Sequence, residues 1–273
     1  MLAEPDLPFT DNHGVRLHWD ERGSGTPLLL IMGHRYSSAM WHPILPALSA
    51  EHRVVWFDNR GTGESASTPK VTAEALAGDA LAVMDAAGIE RAHVFGMSMG
   101  GVIAIELALQ QPARVKSLSV GCSGILTIDK PRMPAVMRVL YHLPAWALRL
   151  LTNRGRDQGY GSAALPERIA FDQAMAAKDK FNVRGVIAQA AAVSGYSTTA
   201  AAVSKLGMPA LVLHGDEDSL VPYRWGVELD QTLPNSRLVT LKGAGHNFLI
   251  AAGDEAAKAL LEFLREVDAA GRS

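Results

Sequence analysis

His93-Val94-Phe95-Gly96-Met97-Ser98-Met99-Gly100-Gly101, followed at once by VIAIELALQ (102–110), is the stretch that decides the fold. A short apolar run ends at Gly96 and an apolar helical pattern begins within a few residues. Glycine weakens helices and strands alike, so glycines crowded round one serine need a reason. Gly96-Met97-Ser98-Met99-Gly100 fits G-x-S-x-G, in which a serine sits on a sharp strand-to-helix turn. Small residues two places either side let that turn close. The turn presents Ser98 at the end of the strand, beside helix N–H groups that favour developing negative charge. The plainer alternative is a serine that caps the helix, with incidental glycines.

The pattern repeats outward from this junction. VRLHWDE (15–21) alternates as a half-exposed strand does. LLLIM (28–32), RVVWFD (53–58), AHVFG (92–96) and VKSLSVG (115–121) are continuous apolar runs, the mark of strands buried on both faces. Helical patterns at 39–49, 73–87 and 102–110 lie between them. Strand alternating with helix predicts a mostly parallel sheet flanked by helices, an α/β fold. After Ser123 the rhythm breaks. From Ile125 to Lys205 the sequence predicts three or four amphipathic helices, in 131–144, 145–153, 165–178 and 182–193. The strands resume with MPALVLHG (208–215) and SRLVTLKG (236–243). Leu260, Phe263, Leu264 and Val267 then form one stripe on a C-terminal helix. The expected organisation is a core of residues 1–124 and 206–273, with 125–205 as a helical cap inserted between two strands.

The chain has 273 residues, 48% hydrophobic and 20% charged, enough for a large core without staples. A net charge of −2 with no basic block argues against nucleic acid as a partner. One cysteine, Cys122, precludes an intrachain disulfide and fits a reducing compartment. The first ten residues lack a basic region followed by an apolar core, so a cytoplasmic location is expected. No membrane span is expected either, because the longest apolar candidate, 139–151, contains Pro144 and Arg149.

A serine hydroxyl needs a base, and the base needs an orienting carboxylate. Of nine histidines, His246 in GAGHNF (243–248) lies just past the last predicted strand, where a glycine-flanked loop can aim an imidazole across the sheet edge. His214 ends a strand and reads as structural. His93 opens the strand that leads to Ser98, His142 falls in the insertion, and His13, His18, His42 and His52 lie in polar or edge settings. The acid should come from another strand-end loop, and HGDEDSLVP (214–222) offers Asp216, Glu217 and Asp218.

With these motifs in order, the chain resembles the α/β-hydrolase superfamily along nearly its whole length. The acid loop of that family reads H-G-x-x-D-x-x-V-P, which residues 214–222 match, and the resemblance implies Asp218 as the acid. Gly245-His246 resembles the family's G-H and implies His246 as the general base. FDNRGTGES (57–65) resembles its D-x-R-G-x-G-x-S loop. The resemblance implies a cap-bearing serine hydrolase without cofactor or metal. Its Ser98 would attack a small-molecule ester or related carbonyl substrate, and the Met99 and His34 amides would form the oxyanion hole. One departure stands out: Ile31-Met32-Gly33-His34-Arg35 carries methionine where the family usually has histidine. Gly33, Arg35, Met97, Tyr141 and Trp146 are candidate substrate contacts. A carboxylic ester of small to medium, largely apolar substrate is the expected target. A carbon–carbon hydrolase of ring-cleavage diketones is the nearest rival. Lactonase, methylesterase and perhydrolase share the triad, and a hydrolase-like ligand receptor is a further alternative. A monomer or homodimer is expected. Gly61-Thr62-Gly63-Glu64-Ser65-Ala66 also fits a dinucleotide-binding G-x-G-x-x-A, but Pro69 interrupts the helix that motif requires.

Overall fold

The structure, a computed structural model, describes residues 8–126 and 159–271. Its chain runs through β1 (Phe9–Asn12), β2 (Val15–Arg22), β3 (Pro27–Ile31), α1 (Leu45–Ser49), β4 (Arg53–Phe57), α2 (Ala73–Ala86), β5 (Ala92–Met97), α3 (Met99–Gln110) and β6 (Val115–Gly121). After the undescribed residues come α4 (Pro166–Lys178), α5 (Val183–Gly195) and α6 (Ala200–Val203). The chain then completes β7 (Ala210–Gly215), α7 (Tyr223–Thr232), β8 (Ser236–Leu241), α8 (Phe248–Ala251) and α9 (Gly253–Ala270).

The eight strands form one sheet in the order β1-β2-β4-β3-β5-β6-β7-β8. β1 and β2 pair antiparallel, as do β2 and β4, and the remaining pairs are parallel. Parallel strands are covered on both faces, which explains the continuous apolar runs. In β3, Leu29 and Ile31 join one core cluster with Val83, Met84 and Ile103, on the side of α2 and α3. Leu28 and Leu30 join the other, with Trp41, Phe248, Leu260, Phe263 and Leu264. The predicted stripe of α9 therefore faces the sheet, with Val267 packed at its margin.

The strand order sets the position of the site. From β3 the chain crosses to β4 on one side, and then returns to β5 on the other side of β3. That reversal opens a crevice at the carboxyl ends of β3 and β5. Ile31 pairs with Gly96 and Met97 with Gly121, so the loops after β3, β5 and β6 leave the same sheet edge. Gly215 pairs with Leu241, which brings the loops after β7 and β8 to that edge as well.

Several expectations need correction. The single helix expected over 39–49 is a 3-10 turn at Ser38–Trp41 followed by α1, with Pro43 between them and a proline in the first turn of α1. β1 and α7 had no counterpart in the sequence reading. His18 and His52, expected in polar or edge settings, are both buried, His18 against the Asp58 carboxylate and His52 against the Thr26 carbonyl. Helices expected in 131–144 and 145–153, with Tyr141, His142 and Trp146, lie outside the described residues.

Candidate active site

β5 is buried at all six positions and delivers Ser98 to the crevice. Ser98 has φ 56° and ψ −118°, a sparsely populated backbone conformation for any residue but glycine. Its N–H donates to the Gly121 carbonyl at 2.7 Å, which helps hold the turn. A side chain at Gly96 would collide with the Gly100 carbonyl, and one at Gly100 with the Ile31 carbonyl. The glycines thus permit α3 to start against the ends of β3 and β5. Ser98 precedes α3 but makes no side-chain cap bond, which removes the plain capping reading.

Its hydroxyl instead meets an imidazole. Ser98 Oγ lies 2.9 Å from His246 Nε2, and His246 Nδ1 lies 2.8 Å from Asp218 Oδ2. The Asp218 side chain is wholly buried. Its Oδ1 accepts the Leu220 and Val221 N–H groups, each at 2.8 Å. Burial works against the charge of Asp218, but hydrogen bonds from His214 and His246, the His246 charge and the Val221 N–H outweigh it. The carboxyl is held well below the usual carboxylate range, so it is ionised and can orient the ring through Nδ1–H. Asp216 and Glu217 are spent elsewhere: Asp216 accepts from Lys242 and the Gly243 N–H, and Glu217 from Ser162. His214 Nε2 faces the Val221 carbonyl at 3.0 Å and stiffens the acid loop, in keeping with a structural histidine.

The loop after β3 faces Ser98 across the crevice. A Cβ on Gly33 would lie 3.3 Å from Ser98 Cβ. The His34 side chain turns away, its Nε2 2.9 Å from the Val186 carbonyl of α5. Burial pushes that imidazole down despite the Val186 contact, so the neutral ring donates its Nε2–H there. Arg35 has φ 78°, and its N–H donates to Gln189 Oε1 at 3.0 Å. Its guanidinium lies over the Tyr36 and Phe181 rings at 5.6 and 5.3 Å. Met97 is buried in the sheet core and Met99 packs on its other face. The structure therefore brings Ser98, Asp218, His246, Met99, Gly33, His34 and Arg35 to one sheet edge. Tyr141 and Trp146 lie outside the described residues.

Sequence reasoning missed two neighbours of this cluster. Cys122, in a left-handed conformation, sits beside Asp218, and burial together with that carboxylate pushes its thiol up. Cys122, Asp218 and His246 are the one group of potential metal donors found together among the described residues. A thiol kept protonated is a poor metal ligand, and the other two members are already hydrogen-bonded to each other. Gln189, the other omission, looks like one more surface residue in an alanine-rich helix. Nothing in its sequence setting marks it.

The model of the α/β-hydrolase fold family matches residues 26–252. The chain belongs to the α/β-hydrolase family. It is 28% identical over 274 residues to a protein of Azorhizobium caulinodans proposed to be the carbamate hydrolase RutD, covering 96% of this chain and 100% of that one. It is also 28% identical to the 2-hydroxymuconate semialdehyde hydrolase of Pseudomonas sp. strain CF600, over 95% of this α/β hydrolase and 94% of that protein. Among solved structures, a thermophilic esterase from Thermogutta terrifontis superposes with a TM-score of 0.82 at 26% identity, covering 96% of this chain and 97% of that one. These relatives support a hydrolase acting on a small molecule.

Proposed function

We propose that this α/β hydrolase is a serine hydrolase cleaving carboxylic esters of small to medium, largely apolar molecules. The observation that carries this reading is the hydrogen-bonded chain Ser98 Oγ–His246 Nε2 at 2.9 Å and His246 Nδ1–Asp218 Oδ2 at 2.8 Å. Ser98 Oγ attacks the carbonyl carbon while His246 takes its proton. Asp218 fixes the ring tautomer and stabilises the imidazolium. The Met99 and His34 N–H groups receive the oxyanion. Arg35 is a poorer donor than His34, because its N–H is already engaged by Gln189. His246 then protonates the leaving alcohol, and water releases the acyl group by the same route reversed. The cap expected over 125–205 would lie on this edge, in line with bonds from Asp179, just after α4, and from Gln189 of α5 to the loops that follow β3 and β4.

Carbon–carbon bond hydrolysis is the second reading, favoured by the similarity to 2-hydroxymuconate semialdehyde hydrolase. The deciding experiment compares wild type with Ser98→Ala on p-nitrophenyl esters from acetate to long acyl chains, and on vinylogous diketones. Ester turnover that disappears in the variant supports the ester reading. Wild-type turnover of diketones alone replaces it with the second.

A further inference from the structure

We infer that Gln189, on a helix outside the sheet, is a positioning residue for the oxyanion hole of Ser98. This inference rests on the serine-hydrolase reading above. Gln189 is fully buried. Its Oε1 accepts the Arg35 N–H at 3.0 Å, and its Nε2 donates to the Arg60 carbonyl at 2.8 Å. One carboxamide thus ties together the loops after β3 and β4, which α5 overlies.

The bond to Arg35 matters because of where that residue stands. Arg35 directly follows His34, the proposed second oxyanion donor, and its φ of 78° is left-handed. A non-glycine residue keeps such a conformation only where its surroundings enforce it. Gln189 supplies part of that enforcement, by fixing the peptide that joins His34 to Arg35. Two more contacts from the same segment act alongside. The Val186 carbonyl holds the His34 ring, and Asp179 Oδ2 accepts the Ser37 N–H at 2.9 Å.

The segment is itself fastened to the second loop. Asn182 N–H donates to the Gly61 carbonyl at 2.7 Å, and Gly63 N–H to the Lys180 carbonyl at 2.8 Å. Gly61 approaches Gly185 so closely that a Cβ on Gly61 would lie 2.5 Å from Gly185 Cα. Gln189 therefore stands on a helix that is held in place, as a positioning role requires. Its carbonyl oxygen sets the loop, and through the loop the direction of the His34 N–H. The side chain itself touches no reacting atom.

The test measures the rate at which an alkyl fluorophosphonate labels Ser98. In that reaction Oγ forms a bond to phosphorus, its proton passes to His246, fluoride leaves, and the phosphoryl oxygen takes the oxyanion position. Gln189→Met is isosteric but accepts no strong hydrogen bond. It is expected to label about tenfold more slowly and to lower kcat on a p-nitrophenyl ester by a similar factor, with KM within about twofold, because the loss falls on the transition state. Gln189→Glu keeps an acceptor for the Arg35 N–H in either protonation state. It is expected to label within about threefold of wild type. Equal labelling of wild type and a folded Gln189→Met would overturn the inference alone. So would equal slowing of both variants, which marks a merely structural side chain. If Gln189→Met does not fold, Gln189→Glu decides the matter through its labelling rate. Absence of labelling in wild type would overturn the serine reading, and the inference with it.

Discussion

Among the described residues, two histidines meet an aspartate Oδ2 through Nδ1 at nearly the same distance. His246 Nδ1 meets Asp218 Oδ2 at 2.8 Å, and His18 Nδ1 meets Asp58 Oδ2 at 2.9 Å. Both carboxylates are buried and held below their ordinary range. In each, burial opposes the charge and hydrogen bonds outweigh it. The difference lies at the second ring nitrogen. His246 Nε2 faces Ser98 Oγ, whereas His18 Nε2 is buried and finds no partner among the described residues. Asp58 also accepts the Ser38 N–H and hydroxyl and the Glu64 N–H, so its pair fastens loops. The two pairs thus differ in what stands on the far side of the ring: a hydroxyl, the proposed nucleophile, for His246 and no partner among the described residues for His18.

The comparison breaks most sharply under substitution of the acids. Asp218→Asn should lower kcat by about 10⁴-fold on any ester the wild type cleaves, with the fold intact by circular dichroism. If Asp216→Asn produced that loss and Asp218→Asn did not, the pairing would be misassigned. Asp58→Ala should do the reverse. It strips a buried pair of one partner and should cost roughly 3–5 kcal/mol of stability in denaturant titrations. Turnover per folded molecule should stay within a few-fold of wild type. A 10⁴-fold loss of turnover in Asp58→Ala would erase the distinction.

Stability against pH sharpens it further. The Asp58 hydrogen bond raises the His18 pKa above its ordinary 6.5 although burial opposes it. That contribution is complete below 6.5 and is lost as pH rises through the raised value. Asp58 is shifted below its ordinary 3.8, so its contribution is present above 3.8 and lost as pH falls through the lowered value. The difference in Tm between wild type and His18→Asn should therefore peak between those two ordinary values, and shrink on either side. A difference independent of pH would mean that the pair is not ionised. The smallest effect belongs to an exposed pair. Lys180 Nζ meets Glu64 at 2.5 Å, but the lysine side chain is 72% exposed. Lys180→Ala should change stability by less than about 1 kcal/mol, and less at high salt.

The two pairs also mark what the sequence could and could not disclose. His246 and Ser98 were legible because glycine-flanked polar residues at the ends of apolar strands have few other uses. Choosing Asp218 over its two acidic neighbours needed the family resemblance, since a single chain does not say which loop carboxylate turns inward. His18 was misjudged because a half-polar alternating strand hides a buried imidazole whose partner lies forty residues on. β1 escaped notice because FTDN reads as a polar turn. α7 escaped because Gly226 interrupts its pattern, and only the packed structure shows that glycine against the His214 ring. Gln189 was invisible for a related reason: its partners are a backbone N–H and a carbonyl, and neither leaves a trace in residue identity.

Ser98 and His246 are separated by 148 positions, and the last strand lies between them. On a ribosome adding about 5–20 residues per second, the serine would emerge on the order of ten seconds before the histidine proposed as its base. Throughout that interval Ser98 would lack the proton acceptor proposed for it. On the proposed assignment the nascent chain would be chemically silent until β7 and β8 had joined the sheet, so its first hydrolytic event would also report that the carboxyl-terminal half has folded.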